Sequence, residues 1–179
     1  MRKLIINSPL KIKKAIPKLK KKIKVEIDIK KNNVIIEGTE FNEFTVEKMI
    51  QALDFGFEVE DVLGLLNDDC NIEYINIKDH THRKNLSEIR SRLIGAEGKA
   101  KRTLETLTGA AVVVHGNCVG IISDAEHMPH IIQGVISLIQ GAKHSNVFSY
   151  IERQNSNLKK IDTEELDLRH PEKDLKNLD

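Results

Sequence analysis

The chain has 179 residues and a formal net charge of +1, a length that can hold two small domains. Aromatic residues make up only 4% and tryptophan is absent, so the cores must consist mainly of Ile, Leu and Val. Two cysteines form no disulfide framework, and neither a signal peptide nor an apolar run of membrane-spanning length is visible, so we expect a cytoplasmic protein rather than a secreted or membrane one.

The small net charge hides a strong separation of charges along the chain. Residues 1–31 contain twelve Lys or Arg against two carboxylates, whereas residues 32–70 contain ten carboxylates against one Lys. Residues 83–102 are basic again, with seven Lys or Arg against two Glu. A positive field attracts phosphates and makes affinity fall with salt. For the Lys-rich stretch 11–24, a solvated helix face and direct RNA contact both stay open, and the acidic stretch is expected on solvated faces or against a basic protein.

The first half of the sequence predicts a strand, a helix, a hairpin and a second helix. Residues 2–7 form a strand that leads almost directly into a Lys-rich helix, which Pro17 would start or kink. A hairpin of 25–29 and 34–36 follows, and then an amphipathic helix near 44–55. A short connector helix at 59–69 has its own apolar stripe, which predicts that two domains pack on each other.

The second half predicts a strand at 72–77 and two amphipathic helices joined by the turn 95–98, whose sequence is Gly-Ala-Glu-Gly. A hairpin of 111–115 and 118–122 comes next, followed by a helix at about 125–140. A GxxG pattern alone has little meaning, because two glycines three residues apart occur by chance. The surrounding order of strand, helix, turn, helix, strand, strand and helix is similar to the type I KH topology and differs from type II.

The turn 95–98 predicts a clamp for single-stranded nucleic acid. Glycine lacks a Cβ, so the backbone of about four nucleotides can approach the turn, with amides of the next helix facing phosphate. Basic side chains on the two helices would neutralise phosphates, and the following strand would read bases through its backbone edge. The predicted RNA-binding residues are Arg90, Arg92, Ile94, Gly95, Ala96, Glu97, Gly98, Lys99, Lys101, Arg102, Val112, Val113 and Val114.

Two of these residues depart from the usual KH clamp. Glu97 places a carboxylate beside phosphate, where KH clamps usually offer a basic residue. Lys101 stands where many KH modules have an isoleucine, which makes the groove more electrostatic and less sensitive to bases. We therefore expect affinity to depend on a wider RNA context than this groove.

A shift of 88 residues aligns the start of the chain with the GxxG region. Residues 5–16 then match residues 93–104, and Leu19 meets Leu107. The first half lacks both glycines, so we predict a degenerate copy that has lost the RNA clamp and serves as a scaffold with an electrostatic surface.

Other candidate chemistry is weaker. The Asp-His-Thr-His stretch at 79–82 lacks the spacing of a known site, so no metal and no cofactor are predicted. No phosphate loop, HExxH or GxSxG motif is present, and no His and carboxylate can be placed around Cys118, so the chain is not expected to be an enzyme. A nuclease built on Asp68, Asp69 and Glu73 would need metal-dependent RNA cleavage that is lost on Asp69→Asn.

The succession of motifs resembles one family. A first unit without GxxG, a connector ending Leu-Leu-x-Asp-Asp, the run Arg-Leu-Ile-Gly-x-Glu-Gly-Lys-x-x-Arg at 92–102 and a closing helix from 141 through 153 are similar to the archaeal KH-domain ribosome-assembly proteins. These are relatives of the eukaryotic partner-of-NOB (Dim-two) pre-ribosomal RNA factor. The resemblance covers about residues 1–155. It implies binding near the 3′ end of small-subunit ribosomal RNA, beside the endonuclease that trims that end, and contact with the alpha subunit of archaeal initiation factor two.

The predicted fold class is α+β, with two consecutive type I KH domains that each pack helices on a three-stranded antiparallel sheet. The predicted boundaries are 1–67 for the degenerate domain with its connector helix, 71–155 for the GxxG domain with its C-terminal helix, and 156–179 for a charged tail expected to be disordered.

The predicted function is single-stranded RNA binding in small-subunit ribosome assembly. One alternative is a protein–protein adaptor whose KH fold has lost RNA binding, and another is a general RNA adaptor in decay or translation. RNA affinity separates the first alternative from the binders, and preference for the ribosomal RNA end separates the second.

Overall fold

The computed structural model describes the backbone of residues 1–169 and the side chains of residues 1–160. A three-stranded antiparallel sheet organises the first half, with β3 in the centre between β1 and β2. The elements of this half are β1 (Arg2–Ile5), α1 (Pro9–Lys22), β2 (Glu26–Lys30), β3 (Asn33–Glu37), α2 (Glu40–Phe55) and the connector helix α3 (Val59–Leu63).

A second three-stranded antiparallel sheet organises the rest of the chain, with β6 in the centre and β5 at an edge. The elements are β4 (Cys70–Asn76), α4 (Leu86–Ile94), α5 (Lys99–Thr108), β5 (Ala111–His115), β6 (Cys118–Asp124), α6 (Met128–Gln140) and α7 (His144–Arg169). The order of strands and helices in both halves is the predicted one. Helix α6 begins later than residue 125, because the Asp124 carboxylate accepts a hydrogen bond from the backbone N–H of His127 at 2.8 Å and holds a turn there.

Helix α1 differs from the prediction at its prolines. Pro9 is the first residue of the helix, where a backbone N–H would have no partner within the helix, so its absence loses no hydrogen bond. Pro17 lies inside the helix. Pro17 is exposed, so the carbonyl of Lys13, which loses its helical donor, faces water. The opposite side of the helix is fully buried through Ile12, Ala15 and Leu19, and this burial fixes which side of α1 faces solvent.

Helix α7 extends further than the sequence analysis expected. It runs without interruption from His144 to Arg169, so residues 156–169 of the expected disordered tail are helical. Residues 142–170 contain neither glycine nor proline, which leaves no strong helix breaker there. The remainder of the expected tail, 170–179, lies outside the described residues. Among the residues described, no helix combines the length and the apolar composition needed to cross a membrane.

The second sheet is covered on both faces. One face packs on α4, α5, α6 and α7 through a core that includes Val112, Val119 and Ile121. The other face packs against the first half, where Ile122 is buried in the same apolar cluster as Phe57 and the connector residue Val62. The two halves therefore share an apolar interface rather than a flexible linker.

Candidate nucleic-acid interface

The GxxG turn is closed tightly at its first glycine. Gly95 has φ +75° and ψ 172°, a backbone conformation that favours glycine. A Cβ at this position would lie 2.7 Å from both the Cβ and the backbone nitrogen of Ala100. The Gly95 N–H donates to the Ser91 carbonyl at 2.8 Å, and the Gly95 carbonyl accepts from the Gly98 N–H at 3.2 Å. Gly95 thus lets α4 end and α5 begin in direct contact.

The second glycine of the turn, Gly98, has free space around its Cα. Gly98 has φ +76°, and a Cβ there would meet only Arg102 Nε, at 3.9 Å. As the N-cap residue of α5 it has no side chain that could cap the helix amides. The exposed Ala96 and Glu97 precede it, and the guanidinium of Arg102 donates to the Glu97 carbonyl. The helix N-terminus beside Gly98 is therefore accessible to an external anion.

Three predicted cations follow on α5, and their surroundings differ. Lys99 is exposed and has no ionic partner among the described residues, and Arg102 is exposed beside the turn. Lys101 Nζ lies 2.8 Å from Glu105 Oε1. Lys99 and Arg102 are consequently the cations on α5 that are best placed to meet a phosphate.

The two predicted arginines of α4 make internal contacts. The Arg90 guanidinium donates to Asn117 Oδ1 at 3.0 Å and to the Gly116 carbonyl at 3.3 Å, which ties α4 to the turn between β5 and β6. Arg92 Nε donates to the Leu138 carbonyl at 3.2 Å, and another of its N–H groups donates to the Ala142 carbonyl. Their RNA contact stays a prediction, and the structure gives both arginines a positioning role. Ile94, at the end of α4, is 37% exposed beside the turn.

The edge strand β5 contributes its backbone. The Val112 N–H donates to Glu105 Oε1 at 3.0 Å, so this residue points its backbone groups away from β6. Along an antiparallel strand, the backbone N–H and carbonyl groups of successive residues point alternately to the two sides of the strand. Val114 therefore also points its backbone groups to the open edge, whereas those of Val113 pair with β6. The side chain of Val113 packs against the first half, and those of Val112 and Val114 pack in the second core.

Glu105 is the residue of this site that the sequence analysis missed. One oxygen of its carboxylate accepts from both Lys101 and the Val112 N–H. The spacing of Lys101 and Glu105, four residues apart on a helix, was a visible signal for the ion pair. The bond to Val112 was not visible, because it depends on how β5 lies against α5.

The candidate nuclease and metal residues are not assembled into a site. Within the part of the chain that the structure describes, no group of three His, Cys, Asp or Glu side chains lies close enough to hold a metal ion. Asp68, Asp69 and Glu73 are exposed around the start of β4. Burial and the nearby charge of Asp124 raise the pKa of the Cys70 thiol, which disfavours the reactive thiolate.

Comparison with known proteins connects this geometry to a family. Residues 71–156 match the second domain of the PNO1 family, described as a eukaryotic type KH-domain (KH-domain type I). A KH domain-containing protein of Methanocaldococcus jannaschii is 32% identical over 163 residues, covering 88% of this chain and 71% of that protein. The pre-rRNA-processing protein pno1 of Aspergillus oryzae is 27% identical over 147 residues, covering 77% of this chain and 56% of that protein. The chain thus spans little more than half of this fungal relative.

A solved structure has the same fold. A chain in the crystal structure of an a/eIF2alpha–aDim2p–rRNA complex from Pyrococcus horikoshii superposes with a TM-score of 0.76 and 25% sequence identity. The match covers 87% of this chain and 94% of that chain, so it includes both sheets. The α+β architecture with three-stranded antiparallel sheets is therefore the KH-type fold.

Proposed function

We propose that this chain, which belongs to the KH-domain family that includes the pre-rRNA-processing protein PNO1, binds single-stranded RNA in ribosome biogenesis. The family membership rests on the match of residues 71–156 to the PNO1 family and on the similarity to the Methanocaldococcus jannaschii protein. The main support for the binding site is the free space around Gly98 at the N-terminus of α5, beside the unpaired edge of β5. The proposed activity is binding without catalysis.

The RNA backbone is proposed to cross the turn 95–98. Phosphates meet the uncapped amides of α5 together with Lys99 and Arg102, because these groups offer positive charge without an internal carboxylate. Bases lie along β5. No described residue accepts from the N–H of Val114 or donates to its carbonyl, so both groups are free to pair with a base. At Val112 only the carbonyl is free, because Glu105 occupies the N–H.

The first half is proposed to be a degenerate KH domain, with boundaries near 1–67 and a second domain near 71–155. Both sheets have the same strand order, in which the last strand along the chain is central. The turn that corresponds to GxxG is closed by Asp54, whose carboxylate accepts from the backbone N–H groups of Asn7 at 2.9 Å and Ser8 at 2.7 Å. A carboxylate thus fills the position where a phosphate would bind.

The proposed target is the 3′ region of small-subunit ribosomal RNA. The fungal relative is named for pre-rRNA processing, and the structural neighbour comes from a complex with rRNA and a/eIF2alpha. We extend both partners to this chain as proposals, together with the endonuclease that matures the same RNA end. A role as a protein adaptor is the alternative proposal. The first half supports it, because this half is folded although its turn is closed by Asp54.

The test is a titration of fluorescent single-stranded RNA from the ribosomal 3′ end, against a scrambled strand, at several salt concentrations. Gly98→Asp places a negative charge at the clamp, in space that a Cβ can occupy, so the affinity should fall at least tenfold while the fold persists. Gly109→Asp is the matched control, because Gly109 also has positive φ, at +67°, open space and a place at the other end of α5.

The outcomes separate the candidate functions. Preference for the ribosomal strand that is lost in Gly98→Asp and kept in Gly109→Asp supports the proposal. Equal affinity for both strands favours a general RNA adaptor. Absent binding removes the GxxG site and leaves a protein adaptor. Binding that is insensitive to Gly98→Asp removes the GxxG site and assigns the RNA to another surface.

A further inference from the structure

The GxxG turn has a backbone conformation that its own hydrogen bonds do little to hold. Three of its four residues have positive φ: Gly95 at +75°, Glu97 at +52° and Gly98 at +76°. Positive φ is unfavourable for a non-glycine residue such as Glu97, so it persists only where the surrounding structure enforces it. Among the described residues, one backbone bond links Gly98 to Gly95, and the Arg102 side chain donates to the Glu97 carbonyl. The shape of the turn therefore depends on how α4 and α5 are held.

Helix α7 donates a side-chain hydrogen bond to each of these two helices. His144 Nε2 donates to the Arg92 carbonyl of α4 at 3.0 Å, and Asn155 Nδ2 donates to the Leu107 carbonyl of α5. Both acceptors lie in the last turn of their helix, where the helix itself supplies no donor. The two donors are about 16 Å apart along α7 at 1.5 Å per residue. One helix thus connects the ends of α4 and α5.

Arg92 makes the connection between α4 and α7 reciprocal. Its side chain donates to the carbonyls of Leu138 and Ala142, at and just after the end of α6, while its own carbonyl accepts from His144. Arg92 lies three residues before Gly95. A shift of the start of α7 must therefore break these bonds or carry the first glycine of the turn with it.

The middle of α7 is packed firmly enough on α6 to support the turn. Val147 and Ile151 are buried against Gly134 of α6, where an added Cβ would lie only 3.1 Å from Ile151 Cδ1. His144 and Asn155 themselves are only half-buried. Their donors can therefore be removed without a change in the packing of the core.

We propose that α7 positions the GxxG turn for its ligand, with His144 and Asn155 as positioning residues that act through α4 and α5. The inference rests on the proposed function for the identity of the ligand, single-stranded RNA. Neither residue has to touch the RNA. A turn that holds its binding geometry for a smaller fraction of the time lowers the apparent affinity by that fraction. The salt dependence stays the same, because the bound state keeps its phosphate contacts.

The experiment compares wild-type protein with the single variants His144→Phe and Asn155→Ala. Phenylalanine loses the donor but keeps an aromatic ring beside Phe148, whose ring centre lies 5.9 Å from that of His144. His144→Gln is the conservative variant, because it keeps an N–H donor on the side chain. Asn157→Ala is the matched control on α7, since Asn157 is exposed and its side chain makes no hydrogen bond with the described residues. Ile131→Val, in the core of α6, controls for a loss of stability alone.

Two measurements are made on each variant. Amide hydrogen exchange reports the protection of the Gly95 and Gly98 N–H groups, and RNA titration over a range of salt reports affinity and its salt slope. We expect His144→Phe and Asn155→Ala each to lower both the protection and the affinity by about fivefold, with an unchanged salt slope. His144→Gln should recover most of both losses, and the two controls should keep the wild-type values.

The proposal is overturned if protection and affinity in the two donor variants equal those of the controls. Lower protection with unchanged affinity also overturns it, because the order of the turn would then not limit binding. Lower affinity with unchanged protection indicates direct contact with the RNA and overturns it as well. Failure of the proposed function is a separate result, seen as wild-type binding that is absent or unaffected by Gly98→Asp. The exchange measurement alone then decides whether α7 positions the turn.

Discussion

The carboxylate of Asp54, in the last turn of α2, lies 2.7 Å from the backbone nitrogen of Ser8 and accepts its hydrogen bond. Ser8 is the N-cap residue of α1, and the 88-residue shift aligns it with Ala96 of the GxxG turn. One helix N-terminus is thus neutralised from within the fold, whereas the other, at Gly98, is left open. This difference supports the proposal that the first turn is a scaffold and that the second binds the ligand.

Asp54→Ala should lower the free energy of unfolding by about 1–2 kcal/mol, because the backbone N–H groups of Asn7 and Ser8 lose their acceptor. Affinity for single-stranded RNA at the GxxG groove should not fall, since that groove lies in the other half of the chain. Urea denaturation and RNA titration measure the two effects. Asp68→Ala is the control, because Asp68 is exposed and its side chain makes no hydrogen bond or ion pair with the described residues. An equal loss of stability in both variants would contradict the stabilising role of the Asp54 hydrogen bonds.

The two glycines of the clamp should respond differently to alanine. Gly95→Ala forces a Cβ to within 2.7 Å of Ala100 and into a strained backbone region, so we expect a loss of about 2–4 kcal/mol. Gly98→Ala meets open space and has only the cost of its positive φ, about 1 kcal/mol. Thermal and urea denaturation of the two variants provide the comparison. Equal losses would show that the contact with Ala100 does not decide the role of Gly95.

The sequence predicts most of the fold because its signals are local. Apolar periodicity and the turn glycines identify the hairpins, and the GxxG context predicts the clamp. What the sequence misses depends on side chains that meet across the fold. Asp54 is 46 residues from Ser8, so no local pattern links them. Arg92 looks like a free cation beside the clamp until α6 brings the Leu138 carbonyl to it.

Gly120 should be the most sensitive position of the interface between the halves. It lies in the central strand β6, and a Cβ there would be 2.8 Å from ring atoms of both Phe55 and Phe57. Phe57 is fully buried and cannot move aside without opening the core. Gly120→Ala should therefore lower the free energy of unfolding by at least about 2 kcal/mol, as measured by urea denaturation.

Gly64→Ala is the matched control for this substitution. Gly64 has ordinary helical dihedrals, and its Cβ would meet only Cys70 Sγ, at 3.7 Å. The control should be neutral or slightly stabilising, because alanine restricts the unfolded chain more than glycine does. A Gly120→Ala protein as stable as this control would mean that the two halves do not pack through the phenylalanines.

Glu105 should restrain RNA affinity while it stabilises the groove. Its carboxylate neutralises Lys101 and occupies the Val112 N–H, so Glu105→Ala removes two charge-assisted bonds and should destabilise the fold by about 1–3 kcal/mol. Glu105→Gln keeps an acceptor for Val112 and should lose less stability. Both variants free Lys101 for phosphate, so RNA affinity should rise and the salt slope should steepen by about 0.7. Glu126→Gln, on an exposed turn with the same change in charge, controls for net charge. A fall in affinity in both Glu105 variants, with the control unchanged, would show instead that this carboxylate contacts the RNA, as an acceptor for a base amino group.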